Sequence, residues 1–456
     1  MSVLARSVVL FLMVFQASVL WAEQEGNAQE SCESDGPKGR PCAAIVLFRD
    51  NTDSADQDAS VRDSGASLNF KIPRSHAASV SIADRASWLK LNANKQVVAL
   101  IPDRPVHAVR EEVNSDRTNS ATKTTASRDI SPQIIPAGVA RIHAAPGQLP
   151  YKGTGIGVAI IDTGIDLTQR DLKVSSTCFS AFSSGCQDGN GHGTHVSGIV
   201  AALDNTINTV GVAPLSTLYA VRVLDSSGSG SDSTVMAGLD WVLSHANSVV
   251  PAIRVVNMSL GRPGSLNDNP ALRTLVQSVR NLGITIVVAA GNDALSEISG
   301  QIPAAYPEVL AVASASALDG TNAGCPYYSG LIFADTASYF TTDGAGVALS
   351  APGEERENIS SGCSISSVGI LSLKRGGGVV RLSGTSMAAP HLAGVAALLL
   401  QKNLGTLDPE TVRSILSASA FRIGIAPLNS PTSPYSFDGV REGILSACGA
   451  LGVSCL

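Results

Sequence analysis

Beyond Pro132 the chain alternates between short, apolar, β-rich runs and longer segments whose apolar residues recur at helical spacing. The runs are Val158 to Ile161, Leu218 to Leu224, Val255 to Met258, Thr285 to Ala290 and Val309 to Ala313. The helical segments cover about His192 to Leu203, Ser231 to His245, Ala271 to Leu282 and Met387 to Gln401. A strand apolar on both faces must be covered on both faces, and strands separated by helices return parallel. The pattern therefore predicts an α/β, three-layer fold: a mostly parallel central sheet with helices on both faces. Apolar residues make up 44% of the chain and charged ones 15%, enough to bury such a core. Aromatics reach only 4% against 43 glycines, so that core is expected to consist of Ala, Val, Leu and Ile joined by tight turns. The stretch from Ala317 to Gly378, rich in Gly, Ser, Cys and Asp, breaks the rhythm and reads as surface loops or short strands.

A chain of 456 residues exceeds one compact core, so further units are expected. Arg6 precedes an apolar run from Val8 to Leu20, interrupted only by Gln16 and Ser18 and ending at Ala22 before Glu23 and Glu25. Residues 1–22 read as a secretory signal peptide; the other reading, a membrane anchor, needs a longer span. Residues 43–108 have the size of a small α+β unit, with strand-like runs at Ala43 to Phe48 and Val97 to Ile101. Glu111 to Arg128 is polar and without periodicity, which reads as an exposed linker within 109–130. The formal net charge of −6 and the lack of a basic cluster argue against a nucleic-acid partner. Eight cysteines in an exported chain are expected to pair. Cys178 with Cys186 and Cys448 with Cys455 would close short loops, leaving Cys325 and Cys363, with Cys32 and Cys42 upstream; proximity does not fix these pairings.

Chemistry concentrates in three islands at the edges of predicted elements. Asp162 ends the apolar run Ile160-Ile161-Asp162-Thr163-Gly164, at the carboxyl edge of the sheet, where open α/β folds bind ligands. His192 lies between glycines in Asp188-Gly189-Asn190-Gly191-His192-Gly193-Thr194-His195, at the entry to a helix. A metal reading would use His192 with His195, but neither an HExxH pattern nor an acidic third ligand accompanies them. Ser386, in Gly384-Thr385-Ser386-Met387-Ala388-Ala389-Pro390, opens another helix, whose unpaired N–H groups face any developing negative charge. Alone, Ser386 reads equally well as a helix cap.

Asp, His and Ser in that chain order follow the subtilisin triad, unlike the His, Asp, Ser order of chymotrypsin-like enzymes. On these motifs the chain from Gln133 to its end resembles the subtilisin-like serine peptidases. The resemblance implies an endopeptidase of broad specificity acting through an acyl-enzyme: Ser386 as nucleophile, His192 as base and Asp162 as its orienting partner. Activity should then fall as pH drops through the histidine range. It implies an oxyanion hole from Asn292, in Ala289-Ala290-Gly291-Asn292, and Ser386. Substrate-binding segments are implied at Ser259, Leu260 and Gly261 and at Gly228, Ser229 and Gly230, with a pocket wall at Ala289, Ala290 and Gly291. It also implies a structural Ca²⁺ held by Gln133, Asp171, Leu203, Asn205, Ile207 and Thr209, oxygen donors suited to a hard cation. Residues 23–108 resemble an inhibitory pro-domain that aids folding and fills the cleft, with a maturation site in 109–130 and the mature start near Ile130 to Pro132. The protein is expected to be a secreted monomer acting on protein and peptide substrates, free of the membrane once the signal is cut. The rival readings are a non-catalytic binding scaffold and a peptide ligase or cyclase using the same acyl-enzyme.

Overall fold

The structure, a computed structural model, describes residues 32–33, 36–37, 39–109, 132–431 and 438–455. The signal peptide expected at 1–22 and all but residue 109 of the linker expected at 109–130 lie outside these residues.

The N-terminal unit runs β1 (Cys42–Phe48), α1 (Ser54–Ser64), β2 (Ser67–Ile72), β3 (Ala77–Ile82), α2 (Arg85–Asn92) and β4 (Val97–Pro102). Its antiparallel sheet has the order β2-β3-β1-β4. Ala44, Val46, Val80 and Leu91 fill its own core, whereas Ile45, Ile72 and Ile101 on the other face join a core of the large domain. This is the period-two alternation of a sheet buried on both sides. A further strand, β5 (Pro105–Ala108), leaves the unit.

The large domain continues α3 (Ala137–Arg141), β6 (Gly157–Asp162), β7 (Phe179–Ser180), α4 (His192–Ala201), β8 (Thr217–Arg222), β9 (Ser229–Ser231) and α5 (Asp232–His245). Then follow β10 (Ile253–Met258), β11 (Leu260–Pro263), α6 (Pro270–Asn281), β12 (Thr285–Ala289), β13 (Gln301–Ile302), β14 (Leu310–Ser316), β15 (Val347–Ile359), β16 (Ile365–Leu373) and β17 (Val379–Leu382). The helices α7 (Thr385–Lys402), α8 (Pro409–Ala418) and α9 (Ala447–Leu451) close the chain. A nine-stranded sheet has the order β17-β16-β15-β14-β12-β10-β6-β8-β7. It is parallel from β15 to β7, and β16 and β17 are added antiparallel. Along β6, Val158 and Ile160 enter the core covered by α4 and α7, while Ala159 and Ile161 enter the one covered by α5 and α6. The expected three layers are present.

The stretch 317–378 departs from its sequence reading. It holds β15 and β16, strands of 13 and 9 residues that extend the main sheet. Their inward residues include Glu354, Glu357, Ser367 and Ser372, all buried, so polar side chains with internal partners disguise interior strands. All eight cysteines are paired: Cys32–Cys42, Cys178–Cys186, Cys325–Cys363 and Cys448–Cys455. Among the described residues no helix is long and apolar enough to cross a membrane.

Candidate active site

Strand β8 is added on one side of β6 and β10, β12 and β14 on the other, so the strand order reverses at β6. The crevice outside the carboxyl ends of such strands is where doubly wound sheets bind ligands. Asp162 ends β6 at that point. His192 is the first residue of α4, after Gly191, whose φ of 114° only glycine adopts without strain. A Cβ at the next residue, Gly193, would run into the carbonyl oxygen of Gly164. The glycines flanking the imidazole are thus demanded by a tight turn and a close backbone approach.

His192 Nδ1 lies 2.8 and 2.9 Å from the two oxygens of Asp162, both residues being fully buried. The carboxylate accepts only, so Nδ1 carries the proton. The Nε2 lone pair is left without a partner. Asp188, which the sequence reading passed over, organises this loop. Its buried carboxylate accepts from Thr163 Oγ1, the Asn190, Gly191 and Thr194 amides and Thr194 Oγ1. Thr163 Oγ1 in turn accepts from the Gly193 amide, 2.9 Å away, tying the aspartate turn to the histidine helix. The only sequence signal was an aspartate ahead of Gly189-Asn190-Gly191.

Ser386 is the second residue of α7, and Gly384, without a side chain, stands at the cap. The capping alternative for Ser386 is therefore set aside. Its hydroxyl donates to Ser259 O at 3.0 Å, and Ser259 Oγ donates back to Ser386 O at 2.9 Å. The hydrogen-bonded line is thus closed between Asp162 and His192 and open between His192 and Ser386. Asn292 follows β12 and accepts at Oδ1 from both the amide and the hydroxyl of Thr385, each at 2.9 Å. An amide N–H can only donate, which fixes the Asn292 orientation and leaves Nδ2 as a buried donor without an acceptor. Ala289 ends β12, Ala290 and Gly291 follow it fully buried, and the Gly291 amide donates to Thr385 Oγ1.

His195 is engaged by main-chain carbonyls. Its Nε2 lies 3.0 and 3.2 Å from the Ile370 and Val380 carbonyl oxygens. Burial, with His192 close by, pushes its pKa down to about 3, so the ring stays neutral in a structural role.

The cleft is filled by the chain itself. β5 runs antiparallel between β11 and β9, pairing Leu260 with Ala108, Gly261 with His107, Ser229 with His107 and Gly230 with Val106. The Ala108 amide donates to Gly228 O at 2.9 Å and the Val109 amide to Ser259 O at 3.2 Å. The two segments expected to pair with a substrate backbone pair here with residues 105–109.

Gln133, Asp171 and the 203–209 loop also meet. Gln133 Oε1 accepts from the Asn205 amide at 2.8 Å, Asn205 Nδ2 donates to Asp171 Oδ1 at 2.6 Å, and Leu203 donates to Asp171 O at 3.0 Å. Pro132 and Ile134 bridge Ile207 and Thr209. Asp171 is fully buried, its Oδ2 has no donor, and burial raises its pKa. The nearby cation, Lys152, is paired with Asp204 at 2.8 Å. A buried carboxylate with neutral donors on one oxygen and none on the other fits a hard cation such as Ca²⁺.

The fold, with an aspartate, a histidine and a serine at the carboxyl edge of its sheet, is that of a serine peptidase by the following comparisons. The subtilase family model matches residues 153–450. Subtilisin DY of Bacillus licheniformis is 38% identical over 64% of this chain and 93% of its own length. Subtilisin of Bacillus pumilus is 36% identical over 64% of this chain and 94% of its own. The crystal structure of a cold-adapted subtilisin-like serine proteinase superposes with a TM-score of 0.51 at 29% identity, covering 68% of this chain and 97% of that one. The chain belongs to the subtilase family. It is a serine-type endopeptidase with peptides and proteins as substrates.

Proposed function

We propose that Ser386 attacks the scissile carbonyl, His192 Nε2 takes its proton, Asp162 holds the imidazole in that tautomer, and Asn292 Nδ2 with the Ser386 amide receives the oxyanion. The observation that carries this reading is the shared carbonyl of Ser259. It accepts both the Ser386 hydroxyl and the Val109 amide, which puts an extended peptide residue beside the nucleophile. Rotation of the serine side chain would exchange Ser259 O for His192 Nε2 and close the line. A serine-directed phosphonate reagent, applied to the matured enzyme, is expected to label Ser386 in a single equivalent, located by peptide mapping. Inactivation with the label on another residue, or full activity with Ser386 labelled, would overturn the assignment.

The same register supports Val109–Arg110 as the first bond cut, so that the pro-domain expected at 23–108, extended by Val109, acts as intramolecular inhibitor, with trimming towards Ile130 to Pro132 afterwards. Asp103 supports the role. It accepts from the Ser233 amide and hydroxyl, at 2.9 and 2.6 Å, at the start of α5, so a pro-domain carboxylate caps a helix of the enzyme. Main-chain pairing on both sides supports broad specificity. Residues 1–22 support export, and the enzyme is read as a secreted monomer, free of the membrane after signal removal.

Gln133, Asp171, Leu203, Asn205, Ile207 and Thr209 would hold Ca²⁺, whose charge would balance Asp171 and fasten the mature N-terminus to the loop. With calcium at a hundredfold its Kd, the folded state gains about 2.7 kcal/mol over the chelated form. EDTA is therefore expected to shorten the half-life of heat inactivation in the wild type and to leave Asp171→Asn unaffected. Equal half-lives of the wild type with and without EDTA would rule the site out.

A further inference from the structure

The segment that fills the cleft is held by the enzyme one residue further than its paired strand, and that residue is charged. The Val109 amide on Ser259 O, beside Ser386, makes Val109 the residue whose carbonyl would be attacked. Upstream of it, β5 pairs with β11 and β9 as far back as Pro105, which lies opposite Ser231. Arg104 is thus the sixth residue before the bond. Its carbonyl oxygen accepts from the Asp232 amide at 2.9 Å, so main-chain atoms of the enzyme fix the backbone there whatever side chain it carries.

The Arg104 side chain meets a carboxylate that the enzyme has set in place. Arg104 Nη1 lies 3.3 Å from Asp268 Oδ1. The other oxygen, Oδ2, accepts from Arg262 Nη1 at 2.5 Å. Arg262 is itself buried on β11, where its Nε and Nη2 donate to the two oxygens of buried Asp232 at 2.8 and 2.5 Å. Asn269 Nδ2 adds a further bond to Asp232 at 2.9 Å. The turn that carries Asp268 is closed by its own amide on Ser265 O at 3.0 Å and by the Gly264 amide on Gly300 O at 2.9 Å. A Cβ at Gly264 would lie 2.7 Å from Arg262 Nη1 and 2.9 Å from Asp268 Oδ2, so the glycine lets the turn fold down over the ion pair. Asp268 is therefore held with one oxygen engaged inward and the other turned towards residue 104.

The charges balance only while Arg104 is present. Arg262 sets one positive charge against two carboxylates, those of Asp232 and Asp268. Arg273 on α6 is already paired with Glu308 at 3.0 Å. Departure of the pro-domain removes Arg104 and leaves one net negative charge at the upstream end of the cleft. The Asp268 side chain is only 16% exposed, so this charge is screened less than a free surface carboxylate. It complements a cation arriving on an extended peptide in the same register.

We propose that Asp268 is a specificity-determining residue: on top of the main-chain pairing, it favours substrates that carry arginine or lysine six residues before the bond that is cut. The inference rests on the reading of Val109–Arg110 as the first bond cut, and it names a substrate class for that same cleft. Arg104 is then the pro-domain's own copy of the feature, so the inhibitor occupies the cleft as a preferred substrate would.

The test gives the matured wild type and Asp268→Asn two internally quenched peptides spanning Asp103 to Glu112, one with the natural Arg104 and one with Arg104→Gln. Asparagine keeps an oxygen for Arg262 and removes the charge. The wild type is expected to favour the arginine peptide in kcat/KM by about two- to fivefold at low salt, the range of a partly exposed ion pair. The difference should lie in KM, because a contact this far from Ser386 is the same in ground and transition states. It should vanish in about 1 M salt, where charges are screened within about 3 Å, and in Asp268→Asn. A merely structural Asp268 would slow both peptides together and keep their ratio, and that outcome overturns the inference. So does a wild type indifferent to the two peptides. Should the variant fail to fold, the wild-type ratio and its loss in salt decide. Mass spectrometry of the products separates the two readings. Cleavage after Val109 at equal rates sinks only the role of Asp268, whereas cleavage at another bond, or none, overturns the register on which both depend.

Discussion

Ser386→Ala is expected to lower casein hydrolysis by about 10⁶-fold, the loss known for the matching serine in subtilisins, and to leave residues 23–109 covalently attached. The fold should survive. Among the described residues the Ser386 hydroxyl makes one hydrogen bond, to Ser259 O, while its main-chain carbonyl keeps the bond from Ser259 Oγ. N-terminal sequencing of the two secreted products checks both halves. The wild type should begin downstream of Val109, and the variant at the residue left by signal removal. A variant that matures like the wild type would mean that another protease makes the cut, and one that still hydrolyses casein would remove Ser386 from the mechanism. The comparison also addresses the rival readings. A binding scaffold would show no difference between the two chains, and a ligase would transfer the acyl group to an added amine in preference to water.

The parts of this site legible in the sequence are those where chemistry and backbone geometry press on the same few residues. Gly191 and Gly193 are required by a left-handed turn and a close approach around His192, so that motif stands out from any background. The strands beneath the site were legible for a second reason: β6, β10 and β12 are largely apolar on both faces because helices cover both faces. Where burial is achieved by polar residues the same logic failed. Glu354, Glu357, Ser367 and Ser372 make β15 and β16 look like surface, because the sequence does not display that their partners lie within the fold. The helix α1 escaped notice likewise, since its buried positions Gln57, Ser60, Val61 and Ser64 include one apolar side chain. Asp188 and Thr385 act on the site through other residues, and such roles leave no motif of their own.

Thr385 determines how the second large effect should be measured. Its amide and hydroxyl both point at Asn292 Oδ1, so Asn292→Asp keeps an acceptor where the fold needs one, while it replaces the Nδ2 donor by an oxygen and adds a negative charge beside the oxyanion. The variant is expected to fold, to mature slowly, and to lose about 10²–10³ in kcat with KM nearly constant, the size known for loss of this donor in subtilisins. The reason for the split is that Nδ2 meets an acceptor only when the carbonyl oxygen becomes an oxyanion; the planar substrate gains little from it. A rise in KM at constant kcat would instead assign Asn292 to ground-state binding. Thr385→Val supplies the control. It withdraws one of two donors from Oδ1 and leaves the main-chain one, so the amide is loosened and not reversed, and the loss of kcat should be smaller than for Asn292→Asp. If Thr385→Val costs as much, the amide orientation and not the donor itself is what the reaction depends on.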